Sequence, residues 1–100
     1  MHELKVLPVE VTEVHIKLGI PRCPWACPIA IAVMEALDAA GLGHQGVEVF
    51  PHKVYFVPPQ GRSYVARLSQ NLEEFARRFD SFQEPIEPIS SELVFSRMSD

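Results

Sequence analysis

Residues 47–68 read VEVFPHKVYFVPPQGRSYVARL, and this stretch decides the fold class. Three β-rich runs stand in it, Val47–Phe50, Lys53–Val57 and Ser63–Leu68, parted by Pro51-His52 and by Pro58-Pro59-Gln60-Gly61. Pro and Gly in such short connections favour tight reversals. A parallel pair would need a crossover of about a dozen residues or more, so these runs must pair antiparallel.

Working toward the N-terminus, Gly41-Leu42-Gly43-His44-Gln45-Gly46 reads as a turn after a helix. That helix starts with Pro28 at its first position and runs to about Ala40, with Gly41 as a left-handed stop. Ile29, Val33, Ala36, Leu37 and Ala40 share one face, and Glu35 and Asp38 are its only charges, so most of it should be buried. Further upstream, Leu4–Val11 has Leu7, Val9 and Val11 at strand spacing, and Pro8 suits an edge strand. Thr12 could cap a short helix, Glu13–Leu18, closed by Gly19. The alternation Val14, Ile16, Leu18 fits a continuing strand as well.

Toward the C-terminus, Asn71-Leu72-Glu73-Glu74 reads as a helix start with Asn71 as cap. Leu72, Phe75, Phe79 and Phe82 form an apolar stripe, and Glu73–Arg77 and Glu74–Arg78 form i, i+4 pairs on the wet face. Pro85 and Pro88 precede a last strand, Ser91–Ser96. The expectation is one α+β domain over residues 1–100. It has a single antiparallel sheet of four to five strands and two main helices packed on one face.

The chain has 100 residues, 47% of them hydrophobic, which supports a small core and not a disordered segment. The net charge is −4 and the nine basic residues are scattered, so no cluster tracks a phosphate backbone and duplex nucleic acid is excluded as the expected partner. The apolar run Pro24–Val33 is shorter than the ~20 residues a bilayer crossing takes, so no membrane partner is expected. Met1-His2-Glu3-Leu4-Lys5 lacks the layout of a signal peptide, and two cysteines do not make a disulfide framework. A cytoplasmic protein with reduced thiols is expected.

Chemistry concentrates at Arg22-Cys23-Pro24-Trp25-Ala26-Cys27-Pro28, which holds both cysteines and the only tryptophan. A thiol at a helix start is favoured as thiolate, which makes Cys23 and Cys27 a candidate redox pair. Oxidoreductases, however, space their thiols by two residues, and three intervene here. The structural reading makes Cys27 a cap residue and packs Cys23 in the loop with Trp25. Zinc needs four ligands; Cys23, Cys27 and His15 could supply three, with His2, His44 or His52 as a fourth. No His pair has zinc-finger spacing, so the expected cofactor is none, with zinc as the alternative. There is no phosphate loop, nucleophile elbow or evident carboxylate pair, so no catalytic residue is assigned. Trp25, Tyr55 and Tyr64 are the candidate interaction surface, on the premise that helices cover only one face of the sheet.

Four elements carry a resemblance: Thr12 with His15-Ile16, Cys27-Pro28-Ile29-Ala30-Ile31-Ala32, Arg77-Arg78-Phe79-Asp80, and Pro85 with Pro88. Together they resemble small uncharacterised proteins of bacteriophages and actinobacteria, in which the two cysteines are separated by two residues instead of three. The resemblance implies a phage or mobile-element origin and names no reaction. The resulting expectation is a small non-enzymatic binding protein that docks on a host macromolecule as inhibitor or modulator. The alternative is a thiol-redox or zinc protein centred on Cys23 and Cys27. A homodimer formed through the open sheet face is also expected.

Overall fold

The computed structural model describes residues 4–98. Five strands, β1 (Leu4–Val11), β2 (Gly46–Val49), β3 (Lys53–Val57), β4 (Tyr64–Arg67) and β5 (Ile89–Arg97), form one sheet in the order β1-β5-β4-β3-β2. Every pairing is antiparallel. The two Pro-containing connections join β2 to β3 and β3 to β4, so the stretch that opens the sequence argument supplies three adjacent strands of the five. Pro8 lies in β1, at the sheet edge, where a missing N–H is tolerated.

Alternate side chains of each strand point inward. Leu7, Val9, Val11, Val47, Val49, Val54, Phe56, Ala66, Leu93 and Phe95 are all buried on that face. The 12-residue helix α2 (Pro28–Ala39) lies against it and contacts both edge strands, β1 and β2, so the sheet curls around the helix. Its Ala30 and Ala32 are fully buried, and such small side chains let backbone and sheet approach closely. The third helix, α3 (Gln70–Asp80), packs on β5 and sends Leu72 and Phe75 into the same core. The fold is therefore α+β, with one antiparallel five-stranded sheet.

The ambiguity over residues 13–18 resolves as a helix, α1 (Glu13–Leu18), because Thr12 and His15 form a reciprocal capping box. The His15 N–H donates to Thr12 Oγ1 at 3.4 Å, and the Thr12 N–H donates to His15 Nδ1 at 2.9 Å. A strand could satisfy neither group this way. Gly19, which ends α1, lies so close to Pro28 that a Cβ there would sit 2.4 Å from the proline Cδ. Gly41, past the end of α2, has φ of 73°, the left-handed stop the sequence predicts.

Three expectations are corrected. The cap of α3 is Ser69 and not Asn71: the helix begins two residues earlier, and Ser69 Oγ bonds the Asn71 side chain and Ser91 Oγ instead of a helix amide. Phe82 leaves the aromatic stripe, because α3 stops at Asp80 and Phe82 adopts φ of 57°, leaving it 70% exposed. Glu73 lies 3.5 Å from His52 of the β2–β3 turn, while Glu74–Arg78 is present at 4.0 Å. Among the described residues, no helix is long and apolar enough to cross a membrane.

Candidate functional site

The segment between α1 and α2 makes a single helical turn at its end. The N–H groups of Ala26 and Cys27 both donate to the Cys23 carbonyl, at 3.2 and 3.0 Å. Two further bonds pin the segment: Ile20 N–H to the Ala26 carbonyl, and Val49 N–H of β2 to the Pro24 carbonyl, each at 2.8 Å. Cys23 and Cys27, one turn apart, thereby face the same space. That space is a cleft of about 200 Å³ between this segment, the β2–β3 turn and α3. Pro24, Ile29, Val49, Phe75 and Phe79 give it apolar walls, and Arg22 and Asp80 stand at its rim.

Arg22 latches the segment to the end of α3. Its main-chain N–H donates to Asp80 Oδ1 at 2.9 Å, and its Nε–H donates to the Asp80 carbonyl at 3.3 Å. The latch holds Arg22 at φ of 61°, a conformation that a side-chain-bearing residue rarely adopts.

Both cysteines are free thiols. Cys27 is the N-cap of α2, and its Sγ accepts the Ala30 N–H at 3.4 Å. Burial pushes the Cys27 thiol up, and the Asp80 carboxylate adds to the rise; the Ala30 and Ile29 amides pull the other way without reversing it. The helix start therefore does not make a reactive thiolate here, because desolvation outweighs the amides that face the sulfur.

His15 is not brought to the cysteines. It is buried on α1 and spans Thr12 and Glu35, with Nε2 2.8 Å from Glu35 Oε2. The Thr12 amide proton points at Nδ1, so that nitrogen accepts and Nε2–H donates to the carboxylate. Both ring nitrogens are thus engaged in joining α1 to α2. Glu35 lies eight residues along α2 from Cys27, about 12 Å at the helical rise. His44 and His52 pair instead with Asp38 and Glu73, and His2 lies outside the described residues. Among the described residues, no three His, Cys, Asp or Glu side chains are grouped to hold a metal ion.

The interaction-surface residues separate. Trp25 is 64% exposed. Tyr55 is half-buried on the outer sheet face, edge-on to Phe50 with ring centroids 5.6 Å apart. Tyr64 is corrected from surface to core: it is 5% exposed and stacked on Phe56 at 4.9 Å, because its strand register points it inward. Sequence reasoning missed the cleft and the Arg22–Asp80 latch. The signal available was Asp80 at the end of Arg77-Arg78-Phe79-Asp80, which read only as a helix end. Comparison with protein-family models, curated proteins and solved structures finds no match.

Proposed function

We propose that this is a non-enzymatic binding protein that docks on another macromolecule through the cleft beside Cys27. The observation that carries the reading is the cleft itself: about 200 Å³, apolar-walled, and held open by backbone bonds to β2 and a latch to α3. Such a cavity accepts one apolar anchor from a partner, the usual centre of a binding interface. Phe50 at its wall and Trp25 on the same pinned segment are exposed and would extend the contact. The resemblance to phage proteins makes a protein of a bacterial host the partner to seek. The cofactor-free reading is preferred to the thiol-redox or zinc alternative, because the Cys27 sulfur is occupied as a cap and its thiol is pushed toward the neutral form.

The test compares wild type with Ala76→Trp, which fills the cleft from α3. Capture from host lysate should yield a partner with wild type that the folded variant loses. Equal capture by both proteins would remove the cleft from the binding mechanism. We further propose that two copies pair through the outer sheet face, where Val6 and Val94 are cross-strand neighbours and are 58% and 51% exposed.

A further inference from the structure

Resting on the cleft as the docking site, we propose that it selects an apolar group bearing a carboxylate, with Arg22 as the carboxylate's partner. The apolar walls and the volume of about 200 Å³ suit a single benzyl- or isobutyl-sized group. The rim adds a polar anchor that is already positioned. Arg22 is fixed at its main-chain N–H and at Nε, both by Asp80. Its two terminal nitrogens make no hydrogen bond or ion pair among the described residues. A guanidinium held at one nitrogen, with its fork unoccupied, is preorganised for a carboxylate and loses little freedom in binding it.

The surroundings favour an anion over a cation. The positive end of α2 opens on the cleft at Pro28 and Ile29. The buried Cys27 thiol adds no negative charge, since burial keeps it neutral. Asp80 is the one carboxylate among the residues lining the cleft, and its Oδ1 is already taken by the Arg22 N–H; Glu73 and Glu74 line the adjoining surface pocket instead. The occupant is the C-terminal residue of a partner protein, because exposed Phe50 in the cleft lining and exposed Trp25 next to Pro24 extend the contact surface beyond one side chain.

The experiment is an NMR titration of the full chain with four probes: phenylpropionate, phenylpropanamide, acetyl-Gly-Gly-Phe with a free carboxylate, and the same peptide amidated. The carboxylates should shift signals of Ile29 and Phe79, with the amides weaker by about tenfold. Tighter binding of the peptide acid than of phenylpropionate supports a chain terminus as the occupant; the reverse would overturn that assignment in favour of a free small acid. Arg22→Asn should erase the preference for acid over amide, since Asn tolerates the left-handed backbone at that position. Asp80→Asn keeps an oxygen for the Arg22 N–H while removing the opposing charge, and should widen the preference. Equal affinity for acid and amide in wild type would overturn the carboxylate inference and leave the cleft as an apolar docking site. If no probe shifts the cleft signals, the docking reading falls with it.

Discussion

Cys27 shows how one residue can meet a structural demand that resembles a chemical one. Pro28 sets the helix start, so the preceding side chain lies beside amides that lack partners within the helix. Sulfur fills that position but accepts weakly, and a hydroxyl of similar size should do as well. Cys27→Ser should keep the fold, with a stability change of about 1 kcal/mol either way in chemical denaturation. The raised thiol pKa also has a pH signature. The folded state holds the proton more tightly than the unfolded chain, so this contribution is fully present below the unfolded thiol's pKa and is lost as pH rises through the folded one. Wild type should therefore lose stability through the alkaline range more steeply than Cys27→Ser; parallel profiles would show that the thiol is not shifted.

His15 meets a different demand at the same scale. It closes a capping box on α1 and bonds Glu35 on α2 from a buried position. His15→Ala removes both bonds and leaves a void, at a cost of about 2–3 kcal/mol by urea unfolding. A cost within ~0.5 kcal/mol would show that the α1–α2 junction does not depend on it.

At the scale of elements, α3 divides its aromatic residues between two tasks. Phe75 is buried in the core, and Phe79 is half-buried, with its ring parallel to that of Phe75 at 6.2 Å and exposed to the cleft. Phe75→Ala should cost about 3–5 kcal/mol, enough to unfold a domain this small, whereas Phe79→Ala should cost about 1–2 kcal/mol because less of its area leaves water on folding. Thermal melts of the two variants check the order; a reversal would place Phe79 in the core. The stripe Leu72, Phe75, Phe79 was legible from its spacing, since a helix repeats its buried face every three to four residues. Phe82 continued the same arithmetic but not the helix: the Ser81 hydroxyl bonds the Arg77 carbonyl, and the chain turns left-handed at Phe82. The periodicity carries no information about where the backbone stops obeying it.

At the scale of the whole molecule, α2 touches both edge strands, and the buried residues of α2 and α3 share one core with the inner face of the sheet. The outer face keeps Val6, Val94 and Val57 in water. Pairing through that face predicts a symmetric dimer, with a light-scattering mass rising toward twice 11.3 kDa as concentration increases. A mass constant at 11.3 kDa, or a rise unaffected by Val94→Lys, would discount the outer face as the contact.

What the sequence determined by itself is what local physics dictates: the antiparallel hairpins forced by Pro51-His52 and Pro58–Gly61, the start of α2 at Pro28, its stop at Gly41, and Cys27 as its cap. Each depends on neighbours a few residues apart, where spacing and residue type are enough. The tertiary structure alone decided that Arg22 meets Asp80 across 58 positions and that His15 meets Glu35 across 20. It also decided that Tyr64 turns inward and that Pro24, Val49 and Phe79 enclose one cleft. Those meetings follow from how the sheet curls around α2 and where α3 ends. They are sums of long-range packing that no short window of sequence contains.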